Sequence, residues 1–189
     1  QGPHALSVVS EAMEIRAAIL PRFQFCSVGD QRSPIWVMRT GYTGEDGCEI
    51  VITRPLGESR WQSILHTGSR EGIRPVGFGA RDTLRLEAAF RLHGHDMDAS
   101  TSPFEAGLGR TVDLNKPAFI GKESLVRQKN EGIKRKLIGF VMETRVAART
   151  GYEIWAAHKR VGHVTSGSYA PTLEQSIGLG YVDSTHAQC

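Results

Sequence analysis

The chain has 189 residues, 40% of them apolar, and a formal net charge of +3. A chain of this length and composition can bury a core without metal or disulfide support, and it is not of the disordered class. No apolar run approaches the roughly 20 residues that cross a bilayer, and so small an excess of positive charge is not by itself a nucleic-acid signature.

The first half of the chain mixes helical and strand-like segments. Ala, Leu, Val and Glu dominate the first stretch, and Pro21 ends it, so one helix or two short ones are expected there. Two β-type segments flank a stretch with three glycines in eight residues, which predicts a hairpin around a long loop. Ala80, Leu84 and Ala88 recur every four residues and predict the buried stripe of a further helix. The predicted helices cover residues 4–20, 60–65 and 80–90, and the predicted strands cover residues 35–39 and 48–53.

The second half of the chain changes in texture. A short helix and a possible strand come first, and short β-type segments separated by turns follow, as in an all-β barrel or sandwich. We therefore predict an α+β protein with a boundary near residues 130–134, which separates a mixed segment, 1–130, from a β-rich segment, 134–189. The helix is expected at residues 122–128, and strands are expected at residues 111–114, 137–142, 152–156, 160–165 and 177–182.

Arg81 is a candidate binding residue. It falls in the first turn of its predicted helix, where the helix dipole disfavours a cation by roughly 0.3–1 kcal/mol. Its planar fork suits a carboxylate or a phosphate, and Arg85 follows one turn later on the same face. An internal salt bridge with Glu87 or Asp46 is the structural alternative.

Glu49 is a second candidate. It lies inside a predicted strand, so its side chain points away from the face that carries Cys48 and Ile50. Such an acid is either exposed on one face of the hairpin or aimed into a cavity. In a cavity its carboxylate could bind a planar ring with two adjacent N–H groups, such as a pterin or guanine.

Two further groups of reactive residues give weaker evidence of a functional site. His93, His95, Asp96 and Asp98 have a spacing that could fit a metal, but the glycine-bearing loop offers no regular scaffold, and caps of helices or turns are the alternative for the aspartates. We predict no metal site. The three cysteines, Cys26, Cys48 and Cys189, are too widely spaced for a zinc pattern or a disulfide framework, so free thiols are expected. Cys48 is either a nucleophile beside the loop or a small buried filler.

Several strings together resemble one family. Residues 39–50 (Arg-Thr-Gly-Tyr-Thr-Gly-Glu-Asp-Gly-Cys-Glu-Ile) closely resemble a signature of the glycine cleavage system T-proteins, which are aminomethyltransferases. Residues 79–88 (Gly-Ala-Arg-Asp-Thr-Leu-Arg-Leu-Glu-Ala) resemble a second motif of this family. Further resembling blocks follow in the family's order, at residues 93–98, 101–109, 119–122, 164–167 and 180–182. The resemblance extends over nearly the whole chain.

The resemblance implies a reaction and a set of site residues. Family members transfer a one-carbon unit from the aminomethyl group on the lipoyl arm of the H-protein to tetrahydrofolate, with release of ammonia. Folate lies in a central cavity of a three-lobed fold, and a C-terminal β-barrel follows. By resemblance Glu49 and Arg81 hold the folate, and Tyr42 either lines the cavity or packs the loop. Arg149 faces the cofactor tail or the carrier protein.

The resemblance also implies that the chain is the middle-to-C-terminal portion of a longer enzyme, with Gln1 and Cys189 as cut edges. The family's catalytic aspartate would lie before Gln1, so no catalytic residue is assigned, and activity of the isolated chain is left open. The implied compartment is the bacterial cytoplasm or the mitochondrial matrix. Neither nucleic acid nor a membrane is an expected partner.

Three alternatives remain beside this interpretation. Sarcosine- and dimethylglycine-oxidising enzymes carry a similar folate module. A paralogue linked to iron–sulfur cluster maintenance has a Lys-Gly-Cys-Tyr motif near the position of residues 120–123, which are Ile-Gly-Lys-Glu here. The third is a folate-binding but catalytically inert fragment.

Overall fold

A computed structural model describes residues 1–17 and 20–187. The chain divides into two compact units, Gln1–Leu84 and Arg85–Cys189. Residues 18 and 19 of the first predicted helix and the predicted free thiol of Cys189 lie outside the described residues. Within the described ranges, no helix combines the length and the apolar character that spanning a membrane requires.

The first unit combines a small antiparallel sheet with helices. Its strands lie in the order β1-β2-β3, with Cα partners Phe25 and Met38 in the first pair and Met38 and Glu49 in the second. The elements are α1 (Ala5–Met13), β1 (Phe25–Val28), β2 (Ile35–Met38), β3 (Glu49–Val51) and α2 (Arg54–Gly68). Helix α3 (Phe78–Glu87) begins in this unit and ends in the other.

The core of this unit lies between α1 and the inner face of the sheet. Successive strand residues face opposite sides, so Ile35 and Val37 are buried while Trp36 between them is exposed. The buried cluster consists of Val9, Ala12, Met13, Ala17, Ile35 and Val37. Half-buried residues packed against it include Cys26, Cys48 and Ile50.

The second unit is built on a four-stranded antiparallel sheet with the order β4-β7-β6-β5. Its elements are α4 (Lys122–Glu131), β4 (Arg135–Val141), β5 (Glu153–Ala156), β6 (Lys159–Ala170) and β7 (Gln175–Asp183). A break in register between Val164 and Ser166 bends β6 against β7. Leu86 from the end of α3 joins Leu137, Leu179 and other sheet residues in the core. Over the described residues the sheet is open and not a closed barrel.

Most predicted elements are present, with shifted ends. The glycine-rich hairpin, the helices and the four later β segments are confirmed. The first helix ends at Met13 because Glu14 takes a left-handed conformation with φ 55°. The strand expected at residues 111–114 is wrong: a 3-10 helix covers Gly109–Thr111, and the Asp113 side chain accepts the Asn115 N–H in a local turn. Strand β1 was not predicted.

The buried stripe expected on α3 is also wrong. Ala80 is exposed, and Leu84 and Ala88 are only half-buried. The helix instead buries Arg85 and Leu86 at its C-terminal end. A four-residue apolar spacing therefore does not identify the buried side of this helix, because the buried side includes a charged residue.

Candidate functional site

The loop that joins β2 to β3 is held by an ion pair across its base. Arg39 donates from Nε to Asp46 Oδ1 at 3.2 Å and from Nη2 to Oδ2 at 2.7 Å, which is the two-point geometry that suits guanidinium and carboxylate. The Arg39 hydrogen bonds lower the pKa of the Asp46 carboxyl below its ordinary value, and the same contact raises the pKa of Arg39. The ion pair therefore holds the two ends of the loop together.

Gln1 also joins the two ends of this loop. The Gln1 side-chain amide donates to the carbonyls of Thr40, at 3.2 Å, and Cys48, at 3.0 Å. A Cβ at Gly41 would overlap the Gln1 carboxamide, and one at Gly47 would lie 2.8 Å from the Gln1 Cα. The Gln1 backbone therefore favours glycine at position 47, whereas at position 41 the movable end of the Gln1 side chain could shift.

Arg81 lies against the same loop. Its guanidinium carbon is 5.0 Å from the centre of the Tyr42 ring and 5.9 Å from that of Phe78, which are cation–π distances. The salt bridge considered for Arg81 is not formed: Asp46 binds Arg39, and Glu87 accepts hydrogen bonds from the backbone and hydroxyl of Thr172. Across residues 1–17 and 20–187, Arg81 has no acidic partner, so its donors remain open to a ligand.

Glu49 extends from the outer face of the sheet. It begins β3, is exposed, and pairs with Met38 across the strands. Its neighbours Cys48 and Ile50 pack on the inner core, so the predicted opposition of their side chains is confirmed. The described part of the chain contains no ion-pair partner for Glu49. Its carboxylate is therefore free to accept hydrogen bonds from a ligand.

Arg149 belongs to the second unit. Its side chain is exposed, and its carbonyl accepts the Tyr152 N–H at 3.0 Å in the turn before β5. The neighbouring Thr150 hydroxyl donates to the Thr165 carbonyl at 2.8 Å, which attaches this turn to β6. The backbone at Arg149 is thus well fixed while its guanidinium is accessible to solvent.

Arg85 and Asp96 form a buried ion pair, with exposures of 2% and 0%. Arg85 Nη1 donates to Asp96 Oδ2 at 2.6 Å, and Nη2 donates to the Ser166 hydroxyl at 2.9 Å. Asp96 also accepts the Leu92 N–H at 2.9 Å and the hydroxyl of Thr165. Both charges are therefore paired and hydrogen-bonded, as burial requires.

This pair bears on two expectations. Arg85 does not accompany Arg81 at the surface but binds inside the second unit. Asp96 does cap a turn, since it accepts the Leu92 N–H, but its main partner is a buried arginine and not a metal. Sequence reasoning missed the pair. The strand β6 that carries the buried Thr165 and Ser166 mixes polar and apolar residues, so these two hydroxyls gave no distinct signal of a buried charge.

The remaining reactive residues have ordinary local roles. Asp98 accepts from the N–H and hydroxyl of Ser100, and these hydrogen bonds lower its pKa. The structure groups no three His, Cys, Asp or Glu side chains at metal-binding distance in the ranges that it describes. Burial raises the pKa of Cys48, which packs on the core of the first unit. A raised pKa disfavours the thiolate, so Cys48 fits the role of a filler and not that of a nucleophile.

Comparison with known proteins agrees with this architecture. Residues 1–116 match the family model described as the GCVT N-terminal domain, and residues 135–189 match the glycine cleavage T-protein C-terminal barrel domain. The crystal structure of glycine cleavage system aminomethyltransferase T from Bartonella henselae aligns with a TM-score of 0.90 at 31% identity, over 98% of this chain and 50% of that one. The fold is therefore that of part of an aminomethyltransferase.

Two sequence relatives make the family assignment specific. The aminomethyltransferase of Alkaliphilus oremlandii is 45% identical over 188 residues, which are 99% of this chain and 51% of that protein. The aminomethyltransferase of Thermosynechococcus vestitus is 45% identical over 182 residues, which are 96% of this chain and 49% of that protein. The chain belongs to the glycine cleavage T-protein family, and it spans about half the length of the curated relatives that it matches.

Proposed function

We propose that this chain is the folate-binding and C-terminal portion of an aminomethyltransferase of the glycine cleavage system. The full enzyme transfers a one-carbon unit from the aminomethyl-lipoyl H-protein to tetrahydrofolate and releases ammonia. One observation carries the proposal for the site: Arg81 lies 5.0 Å from the ring of Tyr42, on the loop that leads directly into the open carboxylate of Glu49. Family membership supports the reaction.

The residues fit the chemistry of a reduced folate. Glu49 is an acceptor for the paired N–H donors of a pterin, and Arg81 offers a planar set of donors to a polar or anionic part of the ligand. Tyr42 contributes an aromatic surface that also orients Arg81. When bound, the folate supplies the nitrogen that takes up the one-carbon unit. Glu49 and Arg81 act by orienting it, and such orientation lowers the barrier by removing the entropy cost of the encounter.

We propose that the two segments predicted from the sequence have separate roles. Residues 1–130 form the folate-binding segment, and residues 134–189 form the C-terminal barrel segment. Arg149, exposed in the second of these, contacts the folate tail or the carrier protein. No catalytic residue is assigned here, because the acid that stabilises the developing positive charge is expected from the part of the enzyme outside this chain. The compartment is that of a bacterial cytoplasm or a mitochondrial matrix.

A second candidate is a folate-binding fragment without transfer activity. What favours it is that the residues assigned to the site, Glu49 and Arg81, bind folate and that neither of them is assigned a catalytic role. The two candidates differ in one measurement. Completed with the other half of its length, the second candidate still binds tetrahydrofolate but releases no ammonia from aminomethylated H-protein, whereas the first candidate releases it.

The experiment is a transfer assay on the enzyme completed with the other half of its length. Aminomethylated H-protein is mixed with tetrahydrofolate, and ammonia release is measured for the wild type, Glu49→Gln and the control Glu45→Gln. Glu45 is an exposed acid on the same loop, so its variant removes the same charge without touching the proposed site. We expect kcat/KM for folate to fall about 10- to 150-fold in Glu49→Gln, the equivalent of one lost charged hydrogen bond.

The control and the second substrate make the result specific. Glu45→Gln is expected to stay within about twofold of the wild type, and the KM for H-protein is expected to be unchanged in both variants. Equal kinetics for Glu49→Gln and Glu45→Gln would refute the site. A completed enzyme without folate-dependent ammonia release would refute the reaction.

A further inference from the structure

Arg149 lies between two residues that are attached to strand β6. Ala148, which precedes it, is buried, and a Cβ at Gly167 of β6 would overlap the Ala148 carbonyl, so the two backbones are in close contact. Thr150, which follows, donates its hydroxyl to the Thr165 carbonyl at 2.8 Å. The side chain of Arg149 is exposed between these two attachments.

The carbonyl that accepts this hydroxyl belongs to an irregular point of β6. The pairing with β7 shifts between Val164 and Ser166, so Thr165 is the additional residue of a β-bulge. The additional residue of a bulge leaves the regular ladder, and its buried backbone groups need other partners. Thr165 is 3% exposed, and its own hydroxyl donates to Asp96 and to the Leu179 carbonyl. These bonds hold Thr165 in place, so its carbonyl is a fixed acceptor.

The Thr150 hydroxyl extends the attachment of this segment toward Arg149. Backbone bonds join the next two residues to β6: the Gly151 N–H donates to the Val164 carbonyl at 2.8 Å, and the Val164 N–H donates to the Tyr152 carbonyl at 2.7 Å. The bond from the Tyr152 N–H to the Arg149 carbonyl lies within the turn and does not reach β6. A side chain on a fixed backbone loses less conformational freedom when a ligand binds than one on a mobile loop.

We propose that Thr150 is a positioning residue for Arg149. Its hydrogen bond to β6 holds the backbone from which the arginine binds a carboxylate, either that of the folate tail or that of an acidic side chain of the carrier protein. Two parallel hydrogen bonds join a guanidinium to a carboxylate, so the affinity depends on the direction of the arginine. This inference rests on the proposed function, which supplies the role of Arg149. It adds a residue that acts through Arg149 without contacting the ligand.

The test uses variants of the enzyme completed with the other half of its length. Thr150→Val removes the hydroxyl and keeps the volume, Thr150→Ser keeps a hydroxyl, and Arg149→Ala removes the guanidinium. Thr111→Val is the control, because the hydroxyl of this exposed residue of the same unit also donates to a backbone carbonyl, that of Leu108 at 2.7 Å. Ammonia release gives the kcat, the KM for tetrahydrofolate and the KM for H-protein of each variant.

Thr150→Val is expected to raise one KM by about 2- to 10-fold, the equivalent of one neutral hydrogen bond, and to leave kcat unchanged. Arg149→Ala is expected to raise the same KM by about 10- to 150-fold, the equivalent of one charged hydrogen bond. Thr150→Ser and Thr111→Val are expected to stay within about twofold of the wild type, since neither loses the contact in question. A higher KM for tetrahydrofolate identifies the folate tail as the partner, and a higher KM for H-protein identifies the carrier.

The double variant Arg149→Ala, Thr150→Val distinguishes positioning from a purely structural role. If Thr150 acts through Arg149, the double variant has the same KM as Arg149→Ala, because the group to be positioned is already absent. The midpoint of thermal unfolding is expected to fall on adding Thr150→Val in either background. A purely structural role would instead raise the KM by the same factor in both backgrounds, and that result would overturn the proposal.

The remaining outcomes separate this inference from the proposed function. If Arg149→Ala raises a KM and Thr150→Val does not, the positioning role is refuted while the role of Arg149 is supported. If Arg149→Ala changes neither KM, the role of Arg149 is refuted and the positioning role with it. A lower kcat with both KM values unchanged in Thr150→Val, or the same defect in Thr150→Ser, would also contradict the proposal. If Thr150→Val does not fold, Thr150→Ala replaces it under the same criteria.

Discussion

Replacement of Asp96 by alanine is expected to destabilise the second unit severely. The side chain is fully buried, pairs with the Arg85 guanidinium at 2.6 Å, and accepts hydrogen bonds from Leu92 and Thr165. The variant leaves a buried arginine without its counter-charge and the Leu92 N–H without an acceptor, while the Thr165 hydroxyl keeps the Leu179 carbonyl at 3.2 Å. Loss of one partner from a buried pair costs about 3–5 kcal/mol, a large share of the 5–15 kcal/mol that stabilises a typical domain.

The cost appears as heat sensitivity and as loss of amide protection. At about 4–8 °C per kcal/mol for a unit of this size, the midpoint of thermal unfolding falls by at least about 12 °C. Hydrogen exchange followed by mass spectrometry on β6 and β7 assigns the loss to this unit, because Thr165 and Ser166 lie on β6. Glu143→Ala, which removes an exposed acid of the same unit, is the control and is expected to leave both measurements unchanged.

A second variant distinguishes the effect of the two charges on stability from the effect of the volume that their side chains fill. The double replacement Arg85→Met, Asp96→Leu removes both charges and keeps apolar volume, so it is expected to be more stable than Asp96→Ala. The penalty of Asp96→Ala is also expected to be nearly independent of salt, since buried charges are weakly screened. A midpoint for Asp96→Ala within about 3 °C of the control would refute the reasoning that this pair is buried and stabilising.

Two further predictions concern stability. Burial, with help from Arg135 and Arg160, lowers the pKa of His163 below 6.5, so the unfolded chain binds the proton more tightly. Stability is therefore expected to be complete above pH 6.5 and to decline as the pH falls from there toward the folded pKa, and urea titrations from pH 5 to 8 should show a flatter profile for His163→Gln. Gly57→Ala, in open space within α2, is expected to stabilise the protein by about 0.5–1 kcal/mol, whereas Gly162→Ala, whose Cβ would meet the Tyr181 carbonyl, should destabilise it by about 1–3 kcal/mol. Urea unfolding measures both, and changes of the same sign would contradict the packing described around Gly162.

Local signals in the sequence predicted the hairpin well. Glycines at tight approaches and apolar segments on both sides determine a turn between strands without help from distant residues. The orientation of Glu49 follows from the same rule, because the alternation of a strand is a property of the backbone. The exposed arginine of α3, Arg81, also lies in the first helical turn as the sequence predicts.

Features that depend on distant partners could not be predicted in this way. Arg85 is buried because Asp96, eleven residues later, and Ser166, on a strand 81 residues away, provide its partners. The apolar spacing on α3 predicts a different buried side, since it assigns every charge to solvent. Strand β1 has only four residues, too few for an alternating pattern to be distinctive, and it exists because β2 offers it an edge.

The folate affinity of the completed protein tests the central claim most directly. Titration calorimetry with tetrahydrofolate is performed on the wild type, Glu49→Gln, Arg81→Ala and the control Glu45→Gln. Each of the two site variants is expected to weaken binding by about 1.5–3 kcal/mol, or about 10- to 150-fold, and the control is expected to bind like the wild type. Unchanged affinity in both site variants would contradict the assignment of Glu49 and Arg81 to a folate site.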